Sequence, residues 1–234
     1  LISFIFSNLI IWIITVFNLK ISFSFNFFFK DISETIVFAF PIFISYIAYF
    51  FLSKYSILIL QNHISLDQIG KFSVAQQIAT IPTLVTVAIA KAVQPMLFSA
   101  MSDNELQVKS QNLDSSFKLL LIWIVGSLIF FIDIIFYFFI PEKYFSILET
   151  TKYMLLVNLV YNYSIVENSI LLYKMKSKII LAITVCGSVL NIILCNLLVE
   201  KYEINGIVFS MALAFFINLC LSIYFSRKYI FIKY

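Results

Sequence analysis

The chain contains long apolar runs whose lengths match the thickness of a lipid bilayer. Seven such runs occupy residues 1–17, 36–60, 72–98, 117–140, 147–173, 179–199 and 204–225. A helix needs about 20 residues to cross about 30 Å of hydrocarbon. Membrane β-barrel strands would instead alternate in polarity over segments of about ten residues, and these runs do not. The pattern predicts an all-α membrane protein with seven transmembrane helices.

The composition excludes a soluble globular enzyme. Hydrophobic residues make up 62% of the chain and charged residues 12%, against about 25% charged residues in a typical soluble domain. The sequence shows no nucleophile–base pair, phosphate-binding loop or cluster with metal-ligand spacing. Cys186, Cys195 and Cys220 lie inside apolar runs and are interpreted as packed thiols. We therefore expect no enzymatic activity, no cofactor and no metal site.

The basic residues of the polar segments predict the orientation in the membrane. Segments on one side carry most of them: Lys20, Lys30, Lys109, Lys118, Lys174, Lys176, Lys178, Arg227, Lys228 and Lys233. The opposite segments carry few, among them Lys143 and Lys201. Cytoplasmic loops are enriched in Lys and Arg, which places the C-terminus in the cytoplasm and Leu1 on the outer face. The net charge of +4 reflects these loops and does not indicate nucleic-acid binding.

This orientation predicts three regions. Residues 1–17 form a transmembrane helix that belongs to a preceding lobe. Seven spans that begin on the outer face are what remains of a longer protein if an odd number of earlier spans, starting in the cytoplasm, precede them. Residues 18–35, rich in Phe and containing Lys20 and Lys30, form a cytoplasmic linker in the membrane interface. Residues 36–234 form a six-helix lobe with a short basic tail.

Polar residues inside the spans are the candidates for function. A charge in mid-membrane costs at least about 2.5 kcal/mol and persists where it faces protein or water. On the third span, at 100° per residue, a polar stripe about 120° wide contains Ser73, Gln76, Gln77, Thr80, Thr83, Lys91 and Gln94. This stripe predicts either a hydrated cavity or a polar contact between helices. Two prolines in the same span, Pro82 and Pro95, free backbone groups as in the broken helices of transporters.

Three further charges in the spans each have two interpretations. Lys54 either faces the cavity or extends to the outer surface. Glu167 either takes part in ion coupling or pairs with a lysine near the inner edge of the membrane. Asp133 is either a proton site or the counter-ion of a lysine on another helix.

Several motifs, in this order and spacing, resemble a known transporter family. They are Ala39-Phe40-Pro41, LSKYSIL at 52–58, GKFSVA at 70–75, VLNIILCN at 189–196 and YEINGI at 202–207. Together they resemble helices six to twelve of the Wzx-type O-antigen flippases. Many members of that family have Asp-Arg where Lys54-Tyr55 stands and Gly where Glu203 stands.

The resemblance implies the fold of the multidrug/oligosaccharidyl-lipid/polysaccharide exporter superfamily, with two six-helix lobes. It also implies a multi-pass protein of the bacterial inner membrane that acts in O-antigen, lipopolysaccharide or related polysaccharide biosynthesis. The implied substrate is undecaprenyl pyrophosphate bearing one oligosaccharide repeat. The implied partners are membrane lipid, a polysaccharide polymerase and a chain-length regulator.

Such a substrate requires a cationic, polar cavity while its prenyl tail stays in lipid. Lys91 is the expected pyrophosphate ligand, and the other expected cavity residues are Gln76, Gln77, Gln94, Thr80 and Lys54. The alternative is a MATE-like cation or drug antiporter that uses Asp133 and Glu167. A membrane glycosyltransferase or polymerase fits less well, because such enzymes carry catalytic residues on sizeable outer loops and the outer segments here are short.

Overall fold

The described part of the chain is helical throughout. A computed structural model describes residues 25–102 and 107–231. Its helices are α1 (Phe25–Leu60), α2 (Leu66–Ser102), α3 (Gln107–Phe139), α4 (Leu148–Tyr173) and α5 (Ser177–Phe231), with a 3-10 helix at Glu142–Ile147. All five α-helices are long and apolar enough to cross a membrane, so the chain is a multi-pass membrane protein.

The predicted regions and the observed helices overlap unevenly. The span predicted at residues 1–17 lies outside the described residues, so the count of seven spans stays a prediction. Helix α1 begins inside the predicted linker, 18–35. The chain divides into two compact units, residues 1–39 and 40–234. The first contains the beginning of α1, and the second contains every contact discussed below.

Helix α5 consists of two helical arms, and the chain reverses direction between them at Glu203, so that the arms form a hairpin. The backbone there has φ 47° and ψ −125°, which is not helical. Residues equally distant from this point meet across the hairpin: the Cys195 sulfur lies 2.9 Å from the Ser210 hydroxyl. That hydroxyl also lies 3.2 Å from Asn191 Oδ1. A straight helix would separate Cys195 and Ser210 by about 22 Å, so the two arms, 177–202 and 204–231, correspond to the predicted spans 179–199 and 204–225.

Two glycines allow the arms to pack closely. A Cβ atom at Gly206 would lie 2.6 Å from the carbonyl oxygen of Leu198, and one at Gly187 would overlap the amide of Asn218. A side chain at either position would push the arms apart. Close backbone approach at small residues is typical of helix pairs in membranes.

Helix α4 is the least apolar of the five, and it is also the most buried. In its apolar window 56% of the residues are buried, against 22–33% in the other helices. Its buried polar residues are Thr151, Asn158, Asn162, Ser164, Glu167 and Ser169. Polar side chains in a membrane protein face protein rather than lipid, which places α4 in the interior of the bundle, packed against α2, α3 and α5.

Helix α1 is attached to its neighbours through its backbone carbonyls. Gln76 of α2 donates to the carbonyl of Ser53 at 2.7 Å. From α5, Asn191 donates to the carbonyl of Leu52 at 2.9 Å. Beside these bonds lies the main apolar core, which draws on all five helices and includes Leu52, Phe72, Ile132, Leu155 and Phe215.

We predict that replacing Glu203 with glycine stabilises the protein. A non-glycine residue with positive φ outside the left-handed helical region costs about 1 kcal/mol or more, and glycine removes this strain. The measurement is thermal unfolding of the purified chain in detergent, where Glu203→Gly should unfold at a higher temperature. Glu203→Ala is the control, because it removes the carboxylate but keeps the Cβ. Equal midpoints for the two variants would show that the backbone is not strained there.

Candidate functional site

The candidate site is a partly open cavity lined by α1, α2, α4 and α5. Its volume is about 310 Å³. It lies in the half of the bundle that ends at the α4–α5 turn, since its lining comes from the start of α5 with Asn218 of its second arm, the later halves of α2 and α4, and residues 42–52 of α1. Its polar lining residues are Ser45, Tyr46, Tyr49, Lys91, Gln94, Tyr161, Ser164, Asn168, Ser169, Thr184 and Asn218.

Two of the predicted site residues, Lys91 and Gln94, line this cavity. Gln94 is fixed by a bond from its amide nitrogen to the Ser169 hydroxyl, 3.0 Å long, which joins α2 to α4. Lys91 is exposed, and no ion pair to it is seen among the described residues. Its ammonium group therefore keeps its three donors for a ligand or water.

The rest of the cavity lining carries amides, hydroxyls and aromatic rings. Asn168 accepts a hydrogen bond from Ser222 at 3.0 Å. Asn218 is buried, and its Oδ1 has no hydrogen-bond partner within the described structure. Tyr49 of α1 stacks on Tyr161 of α4 with ring centroids 4.7 Å apart. This part of the lining therefore offers amide and hydroxyl groups and a flat aromatic surface, which suit a polyhydroxylated ligand.

The polar stripe predicted on the third span divides between two environments. At the other end of α2, Gln76 is buried and accepts a bond from the Lys54 ammonium at 3.1 Å. This pair joins α1 to α2 and lies outside the cavity lining. Gln77 is exposed, and the hydroxyl of Thr80 bonds to the Gln77 carbonyl at 2.7 Å. The stripe is therefore a helix contact near Gln76 and a cavity wall near Lys91, and Gln76, Gln77, Thr80 and Lys54 are not brought together with Lys91.

The two predicted carboxylates form ion pairs away from the cavity lining. Asp133 of α3 lies 3.0 Å from the ammonium of Lys152 on α4, which also contacts Glu149. Glu167 is buried, with Oε1 2.5 Å from the Lys118 ammonium. Its other oxygen lies 2.5 Å from the Ser226 hydroxyl. Glu167 thus connects α3, α4 and α5.

Sequence reasoning missed several polar lining residues, among them Ser164, Asn168, Thr184 and Asn218. They lie on α4 and on the two arms of α5, and together they form no stripe on any one helix. Asn218 alone gave a usable signal, because it is the one amide in the second half of an otherwise apolar run, 204–225. The other three can be recognised as parts of one site only from the packed structure, where they line the same cavity.

A second cavity of about 410 Å³ lies at the opposite end of the bundle. It is lined by the start of α2, the 3-10 helix and the tip of the α5 hairpin, and it contains Lys71 and Glu203. Lys71 pairs with Asp67 one helical turn away, at 2.8 Å. Its charge is therefore partly neutralised, unlike that of Lys91.

Comparison with known protein families gives a match to the first half of the chain. Residues 1–121 match the model of a family described as polysaccharide biosynthesis protein. The match covers slightly more than half of the 234 residues and includes α1, α2, Lys91 and Gln94. The searches of curated proteins and of solved structures found no match.

We predict that Glu167→Gln destabilises the helix bundle. Removing one partner of a buried ion pair leaves an uncompensated charge, at a cost of about 3 kcal/mol. Thermal unfolding in detergent measures the effect, and Glu167→Gln/Lys118→Gln should recover part of the loss.

The matched control is Glu149→Gln, since the exposed Glu149 also contacts a lysine, Lys152, which keeps Asp133 as a partner. The control should change stability by less than about 1 kcal/mol. An unaltered unfolding temperature in Glu167→Gln would contradict the structural role of this ion pair.

Proposed function

The chain belongs to the polysaccharide biosynthesis protein family, and we propose that it is a flippase for a lipid-linked oligosaccharide. Its substrate is an undecaprenyl-pyrophosphate-linked O-antigen or related repeat unit. It carries this unit from the cytoplasmic to the outer leaflet of the bacterial inner membrane. Transport rather than catalysis fits the cavity, whose polar groups bind and orient but include no activated nucleophile among the described residues.

The observation that carries the proposal is Lys91 in a cavity without a carboxylate in its described lining. A pyrophosphate is strongly anionic, and a lysine forms charge-assisted hydrogen bonds with it. A carboxylate in the same cavity would repel it. Lys91 forms no ion pair with any residue that the structure describes, and Asp133 and Glu167 pair elsewhere; both observations favour an anionic substrate.

The remaining polar groups suit the sugar part of the substrate. Gln94, Asn168 and Asn218 present amides, and Ser164 and Thr184 present hydroxyls. Each group exchanges hydrogen bonds with sugar hydroxyls without requiring charge. The prenyl chain needs no protein pocket, because the lipid around the helices solvates it.

The position of the cavity favours loading from the cytoplasm. It lies in the half of the bundle next to the α4–α5 turn, which carries Lys174, Lys176 and Lys178. Enrichment in basic residues marks the cytoplasmic side, so the cavity lies in the inner half of the membrane. A lipid-linked repeat is assembled there, and we place the C-terminus on the same side. A polymerase and a chain-length regulator would act on the repeat after it is flipped.

The second candidate is a cation or drug antiporter. Such a transporter attracts its substrate with carboxylates in its cavity. Asp133 has a side chain 57% exposed beside Lys152, and Glu167 is neutralised by Lys118. This arrangement disfavours the antiporter relative to the flippase.

We predict that Lys91→Ala reduces surface polysaccharide by at least about tenfold, the effect of losing about 1.4 kcal/mol of charge-assisted binding. Lys91→Arg should retain more function than Lys91→Gln or Lys91→Met, because it keeps the positive charge. The assay compares surface polysaccharide and membrane protein level in cells that depend on this protein. Lys71→Ala, on the same helix, is the control. Normal polysaccharide with Lys91→Ala at normal protein level would exclude the pyrophosphate role.

We predict that a cysteine at Met175 is protected from impermeant thiol reagents in intact cells and that one at Asn62 is labelled. Both positions are exposed turns at opposite ends of the bundle, whereas Ser177 is buried and would give a false negative. The background replaces Cys186, Cys195 and Cys220 with alanine. Labelling at position 175 but not at 62 would invert the proposed orientation.

A further inference from the structure

The α5 hairpin brings two basic segments together at one end of the bundle. Cys195 contacts Ser210 and Gly187 lies against Asn218, so residues whose numbers add to 405 lie level across the hairpin. The same register continues to the end of the arms, where the Lys176 ammonium lies 5.0 Å from the ring centre of Tyr229. It places Lys178 level with Arg227.

The resulting basic cluster consists of Lys174, Lys176, Lys178, Arg227 and Lys228. Apolar packing beneath it fixes the two segments, since Leu171, Ile180 and Ile183 form a core with Phe225 and Tyr229 packed against it. Lys178, Arg227 and Lys228 are exposed. Across the residues that the structure describes, no ion pair neutralises any of the five cations.

The cluster lies where both arms of α5 change from apolar to polar, which is the level of the lipid headgroups. Two of its lysines lie over tyrosine rings, Lys174 over Tyr173 at 5.5 Å and Lys176 over Tyr229. Basic groups at this level attract anionic lipids with about 1 kcal/mol per Lys or Arg. Tyrosine rings are themselves favoured in the headgroup layer.

The opposite end of the bundle provides a contrast. Lys143 and Lys201 also lie over tyrosines, Tyr144 and Tyr202. However, each has a carboxylate beside it in the sequence, Glu142 and Glu200. The basic cluster has no such neighbour within either of its two segments, 174–178 and 227–229. Both ends of the bundle therefore carry lysines beside tyrosines. They differ because carboxylates lie next to the lysines at the opposite end, whereas none lies within the segments of the basic cluster.

From this geometry we infer that the basic cluster is a binding site for the headgroup of an anionic phospholipid. The phosphate lies between the α4–α5 turn and the end of α5 and bridges the two segments, while the acyl chains follow the exposed apolar surface of α5. This site is separate from the substrate cavity and does not depend on the proposed transport function.

The test is native mass spectrometry of the full chain, released from nanodiscs of equal parts phosphatidylglycerol and phosphatidylcholine. We expect preferential retention of phosphatidylglycerol. Lys176→Gln/Lys178→Gln/Arg227→Gln should reduce that preference by at least about tenfold, the effect of losing three cations. Lys176→Arg/Lys178→Arg/Arg227→Lys keeps the charges and should behave like the wild type.

Two controls make the result decisive. Lys143→Gln/Lys201→Gln removes cations of the same type at the opposite end and should leave the preference intact. Millimolar inorganic pyrophosphate should not displace the lipid, which distinguishes a lipid site from a free phosphate site. Equal retention of the two lipids by the wild type, an unchanged preference in the Gln triple variant, equal loss in the control variant, or displacement by pyrophosphate would each overturn the inference.

Discussion

The hydrocarbon of the membrane offers no hydrogen bonds, and the arrangement of the bundle follows from this constraint. Each polar atom within a span needs a partner from the protein or from enclosed water. Helix α4, with the most polar sequence, is therefore the most buried helix, and α2, α3 and α5 pack against it. The same constraint explains the attachment of α1, where side chains of Gln76 and Asn191 bond to carbonyls of α1. Polar side chains join helices here because lipid is as apolar as the side chains themselves, so the hydrophobic effect does not drive apolar helix surfaces together.

The sequence predicted the helical class and the approximate positions of the described spans, because a bilayer imposes a fixed length on apolar runs. It also predicted the boundary between the last two spans, near Glu203, where a single non-helical residue separates the two arms of α5. What it did not predict was the division of the α2 stripe. A helical projection shows that Gln76 and Lys91 lie on similar faces, but it contains no information about which neighbour each meets. That depends on packing between residues far apart in sequence, such as Gln76 with Lys54 and Gln94 with Ser169.

The charged residues in the spans separate into two groups by their partners. Lys54, Lys118, Asp133 and Glu167 each contact a polar or charged group on another helix, and their charges stabilise particular helix contacts. Lys91 differs, because it lies in the cavity wall and no ion pair to it is seen in the described residues. Asp133 shows why the sequence alone could not separate the two groups. Its partner Lys152 lies on the next helix along the chain, and helical periodicity does not show which residues of two different helices meet.

The family match and the cavity together separate two parts of substrate recognition. Residues 1–121 contain Lys91 and Gln94, whereas the amide and hydroxyl wall comes from α4 and α5, which follow the matched residues. Under the proposed function, the pyrophosphate is common to all substrates of such transporters, while the sugars differ. A lysine within the matched region suits the constant part, because one cation recognises any pyrophosphate. The uncharged wall of Ser164, Asn168, Thr184 and Asn218 suits the variable part, because specificity for sugar hydroxyls depends on where donors and acceptors are placed. Exchanging amides on this wall would therefore alter which repeat unit is carried, whereas changes at Lys91 would affect every repeat unit alike.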